Sequence, residues 1–265
     1  MGGFCTPRKE VPSVLMSEES GVALQVRRLC VRLRHERDRS RSLREWVVRR
    51  LEKAALTATW VTVLDGVSFE VRRGGMLAVV GRNGAGKTTL LRALAGIVPP
   101  AAGDLQVCGR VAPLIDLGAA FDPELTGDEN VELFATLLGM PLSQVRRRKR
   151  RVWEFAGLSG VEDVPLRNYS AGMVARLGFA VATEVDPDVL LVDEVLAVGD
   201  EEFRRRCFDR IDKMRAAGTA IVLVTHDLEL ARRQADEAIW LENGKVAARG
   251  SPADVCERYR SEIAP

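Results

Sequence analysis

The sequence predicts an α/β fold organised around one phosphate-binding loop, and three stretches predict it. Gly81-Arg82-Asn83-Gly84-Ala85-Gly86-Lys87-Thr88-Thr89 has the G-x-x-x-x-G-K-T spacing of such a loop. Met76 to Val80 before it is a short apolar run with the character of a buried strand, and Leu90, Leu91, Leu94 and Ile97 after it recur at helical spacing. Val189 to Val192 is a second continuous apolar run, closed by Asp193 and Glu194, as in a parallel strand covered on both faces. Ligands of open α/β sheets collect at the C-terminal ends of such strands.

The chemistry of the loop follows from its residue types. Gly81, Gly84 and Gly86 let the backbone take positive φ and approach a phosphate closely, while successive N–H groups and the positive end of the following helix face the anion. Lys87 is placed to reach the outer phosphates of a nucleotide such as ATP, and the Thr88 hydroxyl to hold Mg²⁺.

Bulk properties narrow the class. A length of 265 residues suits one α/β domain with a subdomain. The formal charge is +2 with 29% charged residues, so no global field points to nucleic acid, although arginine is unevenly placed. Five cysteines, at 5, 30, 108, 207 and 256, form no C-x-x-C pair and read as reduced thiols of a cytoplasmic protein. No apolar run approaches the ~18–20 residues that cross a bilayer, and Met1 to Ser20 lacks the apolar core of a signal peptide.

Taken in order, residues 1–20 read as a mobile tail and Val22 to Leu33 as a half-buried strand. A basic stretch from Arg32 to Arg50 contains a capping box, Ser42-Leu43-Arg44-Glu45, and an apolar face of Leu43, Trp46, Val47 and Leu51. That predicts a short amphipathic helix at about 40–55, packed either on its own domain or against a membrane or membrane partner. Thr59 to Val71 is β-rich with a turn at Asp65-Gly66, and Arg73-Gly74-Gly75 turns into the strand before the loop. Pro99 and Pro100 are expected to stop the helix after the loop.

Strands follow around Leu105 to Val107 and Val111 to Leu117, then a capping box at Thr126-Gly127-Asp128-Glu129 and helices over Val131 to Leu138 and Leu142 to Phe155. The Arg146 to Arg151 run reads as a solvated face. Ser170 precedes a packed helix over Ala171 to Thr183, Phe203 to Ala216 is helical, and Thr219 to Val224 is a buried strand ending in Thr225-His226. Ile239 to Val246 is a hairpin with an Asn243-Gly244 turn.

Tyr169-Ser170-Ala171-Gly172-Met173, Asp193-Glu194, Val198-Gly199-Asp200 and His226 follow the loop in an order that resembles the ATP-binding-cassette family, from about residue 21 to 250. Alone, Asp193-Glu194 fits a solvated strand end and His226 a structural histidine; their joint order with Gly81 to Thr89 favours the functional reading. The resemblance implies an ABC-type P-loop NTPase fold: a RecA-like core, an antiparallel β subdomain, a helical subdomain at about 122–185 and a tail at 251–265. It also implies that Asp193 contacts Mg²⁺, Glu194 is the general base, Asp200 is the D-loop aspartate and His226 senses the γ-phosphate. A base of this kind contributes ~10²–10⁴-fold to rate. A homodimer follows, each ATP lying between the loop of one subunit and Ser170 and Gly172 of the other.

The Tyr-Ser-Ala-Gly-Met signature, the continuation Glu-Val-Leu-Ala-Val-Gly-Asp, the stretch Leu117 to Gly127 and the basic insert look like the ATPase subunits of exporters of O-antigen, capsule and teichoic-acid polymers. That implies a separate transmembrane permease in two copies, a lipid-linked polysaccharide as cargo, no nucleic-acid partner, and a peripheral place on the cytoplasmic face of the membrane. An exporter ATPase for a small solute or drug is the alternative, followed by a soluble cassette acting on nucleic acid or ribosomes. Two positions depart from the family. Leu117 stands where most cassettes carry glutamine, with Asp116 a candidate substitute, and Leu33 falls near the usual adenine-stacking aromatic, leaving Trp60 or His35 for that role. The chain ends about 20 residues after the hairpin, so substrate choice by a C-terminal carbohydrate-binding domain is not expected.

Overall fold

In the computed structural model, described over residues 21–35, 59–115, 121–193 and 200–263, every residue of Met76–Val80 (β3) is buried. A strand so apolar must be covered on both faces, which requires parallel neighbours and crossover connections. Its neighbours are Ala220–Val224 (β7) and Glu237–Glu242 (β8), both parallel. The six-stranded sheet runs β5-β6-β7-β3-β8-β9, where β5 is Val111–Leu114, β6 is Val189–Asp193 and β9 is Lys245–Gly250. Only β9 is antiparallel, joined to β8 through Asn243 and Gly244, both at positive φ as a tight hairpin turn requires.

A second sheet, order β2-β1-β4, is antiparallel and built from Val22–His35 (β1), Thr59–Arg72 (β2) and Ala102–Val107 (β4). Helix α1, Lys87–Leu94, lies between the two sheets. Leu90 and Leu91 join one core with Leu24, Leu29 and Leu64 of the antiparallel sheet and Leu77, Val79, Val222 and Val224 of the parallel one. Each such side chain stabilises the fold by about 1.5–3 kcal/mol, so α1 and the loop that starts it are held from both sides.

The opposite face carries the helical part: Gly127–Leu137 (α2), Leu142–Ala156 (α3), Ala171–Glu184 (α4) and Glu201–Ala216 (α5). Val131, Phe134, Trp153, Leu177, Phe179 and Ile211 share a core with Ala112, Leu114, Ile221 and Leu223 of the sheet. The capping box of α2 forms in full, Glu129 N donating to Thr126 Oγ1 at 3.2 Å and Thr126 N to Glu129 Oε2 at 2.8 Å. In the Arg146 to Arg151 run, Arg146, Arg147, Arg150 and Arg151 are exposed as a solvated face, while Arg148 and Lys149 are half-buried. Lys149 reaches Asp128 and Glu132 of α2, and Arg148 reaches Asp186.

Three expectations change. Asp65-Gly66 is a bulge inside one continuous strand, because Leu29 pairs with Val67 and Val31 with Leu64, leaving Cys30 opposite two residues. The helix after the loop ends well before Pro99: Gly96 at φ +72 closes it, with Gly96 N bonding Ala93 O at 3.0 Å and Ile97 N bonding Arg92 O at 2.9 Å. Ile97 is therefore beyond the helix and exposed.

Third, the segment from 251 is not a tail. Pro252–Ile263 (α7) is a helix whose Val255, Cys256 and Tyr259 are buried against Trp240 and Ala78, after a short helix Leu228–Gln234 (α6). The Trp240 and Tyr259 rings meet edge-on at 5.6 Å. The four described cysteines are free thiols. The tail at 1–20, the basic insert at 40–55, Asp116 to Ala120, and Glu194 with the five residues after it lie outside the described residues.

Candidate nucleotide-binding site

The loop is shaped by what surrounds it. Gly81 has φ +155, and a Cβ there would sit 2.2 Å from Leu241 O of β8, so no other residue fits. Gly86, at φ +103, is the N-cap of α1, and a Cβ would press on Leu64 and on Val63 O. The hairpin turn braces the loop, with Gly244 N donating to Ala85 O at 3.1 Å and Asp65 N to Gly244 O at 2.9 Å. The bulge at Asp65-Gly66 thus meets the hairpin that supports the loop.

Lys87 is 7% exposed and curls into the loop, its Nζ donating to Gly81 O at 2.8 Å and Arg82 O at 3.1 Å. An ammonium this buried, whose partners among the described residues are backbone carbonyls, carries a net positive charge into the cradle, which an anion would neutralise. Arg82, Asn83 and Gly84 form the exposed tip. Thr88 Oγ1 donates to Asp193 Oδ2 at 3.1 Å, and Thr89 is half-buried beside it in the first turn of α1.

Strand order explains why these residues meet. In β6-β7-β3, Asp193 registers with Val224 and Val224 with Val79, so the C-terminal ends of three strands lie side by side. His226 leaves the end of β7, between the strand that carries the loop and the strand that carries Asp193, and is exposed. Asp227, next to it, fastens α6 by accepting from Glu229 N and Leu230 N, both at 3.0 Å.

The other expected residues sit elsewhere. Ser170 is the N-cap of α4, exposed, its Oγ accepting from Met173 N at 3.2 Å, and a Cβ on Gly172 would meet only Ser170 Oγ at 3.8 Å. No hydrogen bond of Ser170 or Gly172 among the described residues reaches the loop of the same chain. Asp200 caps α5, accepting from Phe203 N at 2.8 Å, and takes Arg176 of α4 at 2.6 Å. That backbone bond first, then the Arg176 charge, holds its carboxyl below the usual range. Trp60 is 64% exposed on β2, the strand whose Val63 and Leu64 touch Gly86.

Sequence reasoning passed over Arg176 and read Gly244 as a hairpin turn without its contact to the loop. The partners in these contacts, Asp200 and Ala85, are distant in sequence, so no local pattern marks the contacts.

Residues 64–197, half of the chain, match the family model described as ABC transporter. The chain belongs to the ABC transporter family. As a cassette it binds ATP and hydrolyses it. It is 42% identical over 201 residues to the O-antigen export system ATP-binding protein RfbB of Klebsiella pneumoniae, covering 76% of this cassette and 82% of that protein. Identity to the protein of the same name in Myxococcus xanthus is 43% over 206 residues, but this cassette spans only 47% of that longer chain. The teichoic acids export ATP-binding protein TagH of Listeria monocytogenes is 35% identical over 196 residues, 74% of this cassette and 58% of that chain.

Among solved structures, an ATP-binding subunit of an ABC transporter superposes with a TM-score of 0.71 at 25% identity, covering 91% of this cassette and 95% of that chain. A dimeric cassette solved in a post-hydrolysis state with ADP and Pi gives 0.68 at 18% identity, covering 86% and 98%, which shows the shared fold.

Proposed function

We propose that this cassette is the ATP-hydrolysing subunit of an exporter that moves a lipid-linked polysaccharide, of the O-antigen or teichoic-acid class, through a separate membrane permease. The likeness to the Klebsiella protein over most of both chains carries the choice of cargo. The meeting of Lys87, Thr88 and Asp193 at one sheet edge carries the chemistry.

Thr88 Oγ1 and Asp193 Oδ2, 3.1 Å apart, are hard oxygen donors, and no cluster of three or more His, Cys, Asp or Glu exists among the described residues. That donor set fits Mg²⁺, which takes few protein ligands and completes its octahedron with phosphates and water. When bound, Mg²⁺ would neutralise charge between the β- and γ-phosphates. Lys87 and the loop N–H groups hold the phosphates, and Arg82, Asn83, Gly84, Ala85 and Thr89 complete the cradle.

Glu194 directs the attacking water and takes its proton, and His226 hydrogen-bonds the γ-phosphate from the neighbouring strand end. Ser170 and Gly172 act in trans: Ser170 and Ala171 at the N-terminus of α4 are exposed and no hydrogen bond of Ser170 or Gly172 among the described residues reaches the chain's own loop, as expected if it faces the nucleotide of a second copy. Asp200 stands at that same interface, and Trp60 is the candidate adenine platform. The working unit is a homodimer beneath two permease subunits on the cytoplasmic face of the membrane. No described helix is long and apolar enough to cross a bilayer.

The test is reconstitution with a candidate membrane permease of the polysaccharide-export class. The complex should raise its ATPase rate severalfold on adding the lipid-linked polymer. A rate raised instead by a small apolar drug, and not by polymer, would replace the cargo.

A further inference from the structure

Phe155 of α3, Phe179 of α4 and Phe203 of α5 meet where the three helices join, the Phe155 centroid lying 5.8 Å from each of the other two. Three guanidiniums rest on these rings. Arg176 Cζ is 4.9 Å from the Phe203 centroid and Arg210 Cζ is 4.8 Å from that of Phe155. Arg206 spans both rings, its Cζ 5.4 Å from Phe203 and 5.8 Å from Phe155. Ring faces attract cations, so the platform holds all three in place.

Counter-charge is unevenly shared among them. Arg176 donates to Asp200 at 2.6 Å and Arg210 to Glu184 at 3.0 Å, while Arg151 approaches the same Glu184 at 3.7 Å. Arg206 makes no hydrogen bond or ion pair among the described residues, and its Nε is sealed from water with no acceptor. A ring face offsets part of the cost of desolvating a guanidinium but supplies no acceptor oxygen.

Open ground adjoins this cation. Gly157 closes α3 at φ +66 and is exposed, so no side chain covers the spot. A Cβ built there would stand 3.6 Å from Arg206 Nη2 and 3.9 Å from Arg176 Nη1. Two guanidinium edges therefore turn to one place, and Arg176 keeps Asp200 through its other nitrogen, Nη2.

We propose that the ground over Gly157, between Arg206 and Arg176, binds a phosphate group, free or in the headgroup of an anionic phospholipid. A phosphate has acceptor oxygens enough to take donors from both guanidiniums at once, and it supplies the charge that Arg206 lacks. No residue of the nucleotide loop takes part, so the site is additional to the one that holds ATP.

The experiment saturates the loop with Mg²⁺-ADP and titrates inorganic phosphate into wild type, Arg206→Gln and Arg206→Lys, following binding heat and thermal midpoint. In a second arm the same proteins are floated with vesicles of phosphatidylcholine, with and without phosphatidylglycerol. Arg206→Gln is expected to weaken binding about 10-fold or more. Arg206→Lys should fall between, because an ammonium keeps the charge and loses the fork. Without phosphate the three midpoints should agree within about 4 °C, and added phosphate should raise that of wild type most.

Saturable phosphate binding that Arg206→Gln weakens assigns the free anion. Flotation with phosphatidylglycerol that Arg206→Gln weakens, without heat from inorganic phosphate, assigns the headgroup. Wild type that binds neither probe, or Arg206→Gln that binds as wild type does whatever its midpoint, would overturn the proposal.

Discussion

The Thr88 hydroxyl donates to Asp193 across 3.1 Å, linking the first turn of α1 to the C-terminal end of β6. The two residues are far apart in sequence and meet because β3, β7 and β6 are adjacent parallel strands. Asp193→Asn keeps an oxygen for the Thr88 bond but removes the charge that suits a divalent cation. Turnover should fall on the order of 10²-fold, with a raised Mg²⁺ requirement in an ATPase titration and little change in the thermal midpoint.

Gly81 and Gly84 both have positive φ, yet their surroundings differ. A Cβ at Gly81 would stand 2.2 Å from Leu241 O, whereas nothing lies within 4 Å of one at Gly84. Gly84→Ala should therefore cost only the left-handed backbone penalty, about 1–2 kcal/mol. Gly81→Ala should cost more and displace the loop, abolishing binding of a fluorescent ATP analogue. Equal losses in chemical denaturation would show that the close approach to β8 is unimportant.

Tyr169, just before the α4 cap, donates its phenol to Val161 O at 2.5 Å. Tyr169→Phe leaves that carbonyl without its donor and should destabilise by about 1 kcal/mol. The same burial sets a pH dependence. Burial, then the nearby Glu162 and Asp128 charges, pushes the Tyr169 phenol from 10.0 to about 12. Burial likewise pushes the Cys207 thiol from 9.0 to about 12. In both cases the folded state favours the protonated form. The stabilisation is whole below the unfolded value and is lost as pH rises through the folded one. Denaturation midpoints should thus decline between about pH 9 and 12, less steeply in Tyr169→Phe.

Arg215 on α5 gathers four acceptors. Its Nε reaches Gly74 O at 3.2 Å, Nη1 reaches Gln234 O at 3.0 Å, and Nη2 reaches both oxygens of Asp236, whose Oδ2 also takes Met76 N at 2.7 Å. The group ties the turn before β3 to the start of β8. Arg215→Ala should destabilise by about 2–3 kcal/mol in urea unfolding, and Arg215→Lys by nearly as much, because an ammonium cannot serve that fork.

Much of this was legible because it is local. The apolar runs of β3, β6 and β7, the Thr126 to Glu129 box and the Asn243-Gly244 hairpin each carry their cause within a few residues. Asp65-Gly66 misled because a bulge and a turn use the same residues, and only the register against Cys30 separates them. Pro99 and Pro100 drew attention from Gly96, which already ends α1. The helix at Pro252–Ile263 was missed although Val255, Cys256 and Tyr259 have helical spacing, since what they cover, Trp240, lies on another element. At the site, the loop and Asp193 could be read from spacing. Arg176 could not, because its meaning rests on where Asp200 lies in space.

The central claim is a composite ATPase, two copies of this chain closing on ATP. Light scattering of Glu194→Gln with and without Mg²⁺-ATP, with phosphate release measured alongside, tests it most directly. A shift from monomer to dimer on adding ATP, with turnover reduced ~10²–10⁴-fold, is the result expected. A variant that stays monomeric with ATP, or that hydrolyses at the wild-type rate, would contradict the claim.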